Sequence, residues 1–201
     1  MLVGSSGLTD EWLDDAVDVR LLEHQPTLVG DLVRLEPMSE QHLEGLWPMF
    51  ADSESGDLTG PVAEFTREQV RRGLAGARHR HDRADWAVVR LADGEVLGEV
   101  VLFELDEDHA TMTFRIALVG PDAFGRGYGS EATRLVRDFA FGPLGLHRLQ
   151  LEVLDHNTRA QRVYSKAGFV VEGRRRAVQL IDGFWHDAID MALLDTDPRP
   201  A

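Results

Sequence analysis

The feature that most constrains this chain is a glycine-rich turn in its second half, Phe124-Gly-Arg-Gly-Tyr-Gly129. It follows a segment with the alternating pattern of a strand, Thr111–Leu118, and precedes an amphipathic helix that we expect to begin at Ser130. Glycines allow backbone and ligand to approach closely, and the N–H groups at a helix start attract anions. The arrangement therefore predicts a phosphate-binding loop, with a plain tight turn as the alternative.

Two other glycine motifs fit this turn less well. A P-loop ends in Gly-Lys-Ser/Thr, whereas Gly129 is followed by Ser130 and Glu131. A dinucleotide-binding fingerprint needs a third glycine where this chain has Ser130, although Glu152 lies roughly where a ribose-binding acid would be. A nicotinamide-dependent oxidoreductase therefore stays an alternative.

The remaining pattern predicts an α/β domain with a mixed, mostly antiparallel sheet, flanking helices and one β-α-β unit. Helix-start signals stand at Ser39, Thr66 and Asn157, and a stop signal stands at Gly168. We expect residues 1–30 to form an N-terminal extension, with a short helix near Asp10–Val17, and residues 31–196 to form the domain. The predicted strands are Asp31–Glu36, Trp86–Leu91, Val96–Leu105, Thr111–Leu118, Arg148–Leu154, one that begins at Phe169, and Phe184–Leu194.

Composition limits the chemistry and the partners. The chain has no cysteine, which excludes thiolate nucleophiles, disulfides and cysteine-ligated metals. Its net charge is −14, and the first 60 residues hold 13 acidic and two basic residues, which disfavours nucleic acid and favours cationic ligands. No apolar stretch approaches the roughly 20 residues of a membrane span, and the N-terminus is unlike a secretory signal. We therefore expect a cytoplasmic protein without membrane partners.

One polar cluster, His79, His81 and Asp82, contains metal-binding residue types. We interpret it as a solvated helix end, since charged and polar runs are usually exposed. The sequence therefore predicts no metal site.

From about Leu32 to Leu194, roughly four-fifths of the chain, the sequence resembles the GNAT superfamily of N-acyltransferases. Several blocks match that family in order, and their joint spacing is specific. The tail resembles the branch of ribosomal-protein and spermidine acetyltransferases. The matching blocks are Val96–Val101, Phe114–Leu118, Gly125–Ala132, the N…A…Y-x-K-x-GF block at Asn157, Ala160, Tyr164, Lys166, Gly168 and Phe169, then Glu172-Gly173, Asp182–Asp187 and Met191.

The resemblance implies the GNAT fold and transfer of an acetyl group from acetyl-CoA to a primary amine of a small molecule, a polyamine or a protein N-terminus. It implies that Tyr164 protonates the leaving thiolate, because a phenol with a reference pKa near ~10 can donate a proton at neutral pH. It implies that a backbone N–H within Phe114–Ile116 stabilises the thioester oxygen. The residues implied to bind acyl-CoA are Phe114, Arg115, Ile116, Gly125, Arg126, Gly127, Tyr128, Gly129, Ser130, Asn157 and Lys166.

Three positions depart from the family pattern. The loop often starts with Arg or Gln where this chain has Phe124, so one contact to phosphate is missing. A glutamate common on the fourth strand of the branch falls here on Thr113, so no general base is obvious. Arg115 occupies a usually small position and suggests a carboxylated acyl chain such as succinyl as an alternative donor. A module that binds acyl-CoA without turnover also stays an alternative.

Several acidic residues are candidates for the general base that deprotonates the amine. A relay of water molecules is the alternative and would need no single base. Arg174–Arg176 is interpreted as a charged strand edge. A homodimer is also considered. The candidate acids are Asp52, Glu54, Asp57, Glu104, Asp106, Glu107, Asp182 and Asp187.

Overall fold

A computed structural model describes residues 17–51, 65–77 and 80–200 of the chain. In this part of the chain five α-helices and eight strands alternate with two short 3-10 turns, Glu40–His42 and Pro121–Ala123. The helices are α1 Arg20–Glu23, α2 Leu43–Ala51, α3 Arg67–Gly76, α4 Tyr128–Phe141 and α5 Thr158–Ala167. The strands are β1 Leu28–Val29, β2 Val33–Pro37, β3 Ala84–Arg90, β4 Val96–Asp106, β5 Thr111–Leu118, β6 Arg148–Leu154, β7 Val170–Ile181 and β8 Phe184–Leu194.

The eight strands form one sheet in the order β1-β2-β3-β4-β5-β6-β8-β7. Every neighbouring pair is antiparallel except β5 and β6, which run parallel. A parallel pair needs a long crossover connection, and α4 lies in that connection. The predicted class, a mixed and mostly antiparallel sheet with one β-α-β unit, is confirmed.

The sheet is covered on both faces, and β3 shows how its residues divide between them. Trp86 and Val88 belong to the large core cluster that includes residues of α4 and α5. Ala87 and Val89 belong to a second cluster with Leu46 of α2 and residues of α3. Successive side chains of a strand point to opposite faces, so a strand buried on both sides is apolar throughout.

Helix ends follow the predicted signals. The Thr66 hydroxyl accepts a hydrogen bond from the N–H of Gln69 at 3.2 Å, and Gln69 completes the capping box. Asn157 Oδ1 accepts from the N–H of Ala160 at 3.1 Å and caps α5. Gly168 ends that helix with a φ of 106°, in the left-handed region that glycine adopts without strain.

The segment before β2 packs onto the domain. Leu22 is fully buried in the large core cluster, and β1 pairs with β2. The indole N–H of Trp86 donates to the carbonyl of Pro26 at 2.9 Å, and the N–H of Asp18 donates to the carbonyl of Leu144 at 3.0 Å. Residues 17–29 therefore take part in the core, and the domain boundary at residue 30 stays a prediction.

Several element boundaries differ by a few residues from those predicted. Helix α4 begins at Tyr128, two residues before Ser130, because the left-handed Gly127 forms the turn directly before it. Strand β7 continues to Ile181. The predicted helix near Asp10–Val17 lies outside the described residues except for Val17. Among the described helices, none has the length and apolarity needed to cross a membrane.

Candidate functional site

The parallel strands β5 and β6 are paired over only a short stretch. Their three pairs run from Thr111 with Arg148 to Thr113 with Gln150, although β5 continues to Leu118 and β6 to Leu154. Beyond Thr113 the two strands separate and leave that edge of β5 without a ladder. Backbone N–H and C=O groups need partners, so this edge offers hydrogen bonds to a ligand.

A cavity of about 730 Å³ occupies the space between the separated strands. It collects most residues that the sequence predicts for acyl-CoA binding and catalysis. Three others do not line it: Arg126 and Lys166 are exposed, and Tyr128 packs partly buried against the core. Those that line it are Phe114, Arg115, Ile116, Gly125, Gly127, Gly129, Ser130, Asn157 and Tyr164.

The glycine turn forms one end of the cavity. Gly125 and Gly127 have φ values of 73° and 88°, a conformation that other residues rarely adopt. The turn leads directly into α4, whose first backbone N–H groups are not used within the helix. This end can hold an anionic group such as a pyrophosphate.

Arg159 supplies a cation beside this turn. Its guanidinium lies 3.6 Å from the centre of the Phe124 ring, and both residues line the cavity. Phe124 is the position where the related loops often carry Arg or Gln, so the stacked Arg159 restores a positive charge near the place where it is missing. Sequence reasoning missed Arg159, although its place two residues after the cap Asn157 put it in the first turn of α5.

Tyr164 is held by an aromatic cluster. Its ring lies 6.0 Å from that of Phe114, edge to face, and 6.0 Å from that of Phe169. Burial raises the pKa of Tyr164 to about 12, so the phenol keeps its proton throughout the neutral range. Because none of the described residues provides a hydrogen-bond partner for its hydroxyl, the proton is available to a molecule in the cavity.

The other end of the cavity has a carboxylate, Glu104, whose position depends on a β-bulge. The pairing of β4 and β5 shifts between Phe103 and Asp106, and Glu104 adopts a φ of 57° within this bulge. The Thr113 hydroxyl donates to Glu104 Oε2 at 2.9 Å and accepts from Gln150 Nε2 at 3.3 Å. Three strands therefore place a carboxylate beside the threonine that replaces the family's glutamate.

The other candidate bases are less suited to act in the cavity. The hydrogen bond from His109 lowers the pKa of the Asp106 carboxyl. Neither Asp106 nor Glu107 lines the cavity. The pKa of Asp187 is lowered, mainly by the N–H of Ala177 and also by Arg174. Asp182 is exposed in the turn between β7 and β8. The candidates Asp52, Glu54 and Asp57, like His79, lie outside the described residues.

The charged residues around the cavity are largely paired with each other. Arg115 Nη2 donates to Glu99 Oε1 at 2.8 Å, so this guanidinium already has an acceptor within the protein. Glu152, which lines the cavity, is bonded to Arg175. Among the described residues no basic side chain pairs with Glu104, which leaves it as the uncompensated carboxylate of the cavity.

The cavity between the two separated strands therefore combines a glycine turn suited to an anion, an unpaired strand edge and a buried phenol. Residues 33–170 match the family profile described as the acetyltransferase (GNAT) domain. The chain therefore belongs to the GNAT family, as the sequence blocks predicted.

Individual relatives agree with this assignment. Spermidine N(1)-acetyltransferase of Escherichia coli K12 is 34% identical over 116 residues, which span 58% of this chain and 62% of that enzyme. The crystal structure of a GCN5-related N-acetyltransferase from Brucella melitensis has a TM-score of 0.70 at 25% identity, covering 86% of this chain and 80% of that one. Spermidine N-acetyltransferase of Vibrio cholerae, in complex with CoA and spermine, has a TM-score of 0.75 at 20% identity, covering 83% and 98%. The predicted GNAT fold is confirmed.

Proposed function

We propose that this protein transfers the acetyl group of acetyl-CoA to a primary amine of a cationic small molecule, with a polyamine as the first candidate. The observation that carries the proposal is one cavity that has an anion-binding glycine turn at one end, an uncompensated carboxylate at the other and Tyr164 in its wall. The names of the E. coli and V. cholerae relatives support the polyamine.

The two ends suit the two substrates for electrostatic reasons. The backbone N–H groups of Gly125–Gly129 and the start of α4 attract the phosphates of CoA, and Arg159 adds a full positive charge there. Glu104 attracts an ammonium group, and the chain's net charge of −14 favours the approach of a cation. The succinyl donor gains no support from Arg115, because its guanidinium already donates a hydrogen bond to Glu99 within the protein.

Three groups then act in the proposed transfer. Glu104 accepts a proton from the ammonium, directly or through water, and the amine nitrogen bonds to the carbonyl carbon as the carbon–sulfur bond breaks. A backbone N–H on the open edge of β5, within Phe114–Ile116, stabilises the charge on the carbonyl oxygen. Tyr164 gives its proton to the leaving thiolate, and the second proton lost by the nitrogen restores the phenol, so that the products are an acetamide, CoA thiol and the proton held by Glu104.

The test is release of free thiol from acetyl-CoA against polyamines, amino acids, aminoglycosides and ribosomal N-terminal peptides. We expect release that depends on the polyamines. Tight CoA binding with no release from any acceptor would instead identify a binding module, and NAD binding without CoA binding would identify an oxidoreductase. Faster release of thiol from succinyl-CoA than from acetyl-CoA would identify succinyl-CoA as the donor.

A cytoplasmic location, the absence of nucleic-acid and membrane partners, and a reaction without metal stay predictions. The homodimer also stays a prediction, supported by exposed apolar side chains on the β7–β8 hairpin: Leu180, Phe184 and Trp185 are 55%, 71% and 63% exposed. Light scattering of the purified chain measures this directly, since a dimer doubles the mass.

A further inference from the structure

We propose that Asp155, His156 and His186 form a binding site for a divalent transition-metal ion such as Zn²⁺. The three residues meet where the turn after β6 lies against β8. The sequence does not reveal this group, because Asp155 and His186 are 31 residues apart and only the pairing of β6 with β8 brings them together.

The three ligand atoms have the spacing of a metal site. His156 Nδ1 and His186 Nδ1 are 3.1 Å apart, and Asp155 Oδ1 lies 3.3 Å from His186 Nδ1 and 3.9 Å from His156 Nδ1. A single ion can lie at ordinary Zn–N and Zn–O distances of about 2.0–2.2 Å from all three corners of such a triangle. One coordination position would remain open for water.

The donor set selects the class of ion. Two imidazole nitrogens and one carboxylate oxygen suit Zn²⁺, Co²⁺, Ni²⁺ or Cu²⁺, whereas Mg²⁺ and Ca²⁺ prefer oxygen ligands alone. The side chains of Asp155, His156 and His186 are 29%, 33% and 25% exposed, so an ion could reach them from solvent.

The surroundings hold the carboxylate in place for this role. The N–H of Asp155 donates to the carbonyl of Asp187 at 2.9 Å, which fixes the turn against β8. Arg174 Nη2 donates to Asp155 Oδ2 at 3.3 Å, leaving Oδ1 directed at the histidines. Arg174 Nε also donates to Asp187 at 2.6 Å, so the arginine's charge is compensated by a second carboxylate. Such outer contacts orient metal ligands.

An ion here would join the end of β6 to β8. Asp155 and His156 lie directly before Asn157, which lines the cavity, so the ion would fix the turn that leads into α5. Because a ligand that binds the folded state stabilises it, added Zn²⁺ should raise the melting temperature. The alternative is a direct hydrogen bond between the two imidazoles, which requires a proton where the ion would be and predicts no ion binding.

The experiment is calorimetric titration of the full, untagged chain with Zn²⁺ after removal of bound metal by a chelator. His156→Ala and His186→Gln each remove one ligand, and Asp155→Asn tests the third. His147→Ala is the matched control, because His147 lies 3.1 Å from Asp195 in a pair that has no third ligand among the described residues. Far-UV circular dichroism and the melting temperature without added metal establish that each variant is folded.

We expect one Zn²⁺ per wild-type chain, affinity reduced about tenfold or more in folded ligand variants, and unchanged affinity in His147→Ala. The melting temperature should rise with Zn²⁺ in the wild type and less in the variants. Absence of binding to the wild type, or equal losses in His147→Ala and His186→Gln, would overturn the proposal. Neither result depends on acetyl transfer.

Discussion

The two ends of the cavity are built in different ways. The anion-binding end is local: a glycine turn and the helix that follows it occupy one continuous segment, Gly125–Phe141. The carboxylate end is assembled from three strands, since Glu104 of β4 is held by Thr113 of β5, which is bonded to Gln150 of β6. The glycine turn of the local end resembles the family's sequence pattern except at Phe124, whereas the assembled end has Thr113 where that pattern often has a glutamate, with the Glu104 carboxylate beside it. The glycine-turn end is therefore predictable from the sequence, whereas the carboxylate end depends on the tertiary structure.

The largest effect on kcat is expected from a substitution of Tyr164, which lies in the cavity wall between the two ends. Tyr164→Phe keeps the aromatic packing with Phe114 and Phe169 but removes the proton donor, so kcat should fall by about 10²-fold. CoA affinity and melting temperature should be nearly unchanged. Steady-state kinetics with acetyl-CoA and the best amine measure this, and an unchanged kcat would exclude Tyr164 as the acid.

The same residue makes a prediction about pH. Because burial raises the pKa of Tyr164 to about 12, the phenol carries its proton below that value and loses it only above. We therefore expect no loss of kcat up to about pH 10 from this group. A pH–rate profile of kcat measures it, and a basic limb near pH 8 that disappears in Tyr164→Phe would contradict the assignment.

A smaller effect, on kcat/KM for the amine, is expected from a substitution of Glu104 at the assembled end. Glu104→Gln removes both the charge that attracts the ammonium and the proposed proton acceptor, so kcat/KM for the amine should fall by about tenfold or more, with KM for acetyl-CoA unchanged. Glu107→Gln is the control, because this exposed acid lies in the next turn and away from the cavity. Equal losses in both variants would indicate a general effect of surface charge instead of a specific acceptor site.

At the glycine-turn end, we expect a substitution to change the KM for acetyl-CoA and to leave the KM for the amine unchanged. Arg159→Ala removes the cation beside Phe124, so KM for acetyl-CoA should rise by about fivefold, equivalent to ~1 kcal/mol, with KM for the amine unchanged. Arg162→Ala, on the exposed side of the same helix, is the control. Raising the salt concentration should weaken CoA binding less in Arg159→Ala than in the wild type. Equal salt dependence of the two proteins would show that the charge of Arg159 does not contribute to CoA binding.

The smallest effect is expected from a substitution of Asn157, which tests whether this residue contributes to stability alone or also to co-substrate binding. Asn157→Ala removes the cap of α5 and should lower the free energy of unfolding by ~1 kcal/mol. Chemical denaturation measures this. If Asn157 also contacts the co-substrate from the cavity wall, KM for acetyl-CoA should rise as well; a loss of stability without any change in KM would leave it as a cap alone.

Local signals made much of this protein predictable from its sequence. The cap at Asn157, the stop at Gly168 and the turn at Gly125–Gly129 each depend on a few consecutive residues, and each has the expected role in the fold. The placement of Glu104 was harder to foresee, because it depends on a bulge that alternation alone does not reveal. The stacking of Arg159 on Phe124, and the meeting of His156 with His186, required tertiary structure for the same reason.

The most direct test of acetyl transfer to an amine is mass spectrometry of the reaction with acetyl-CoA and spermidine, combined with measurement of the thiol released. We expect one acetylated amine for each CoA thiol released, and a loss of both in Tyr164→Phe. Thiol release without acetylated amine, or CoA binding with neither product from any amine tested, would contradict this expectation.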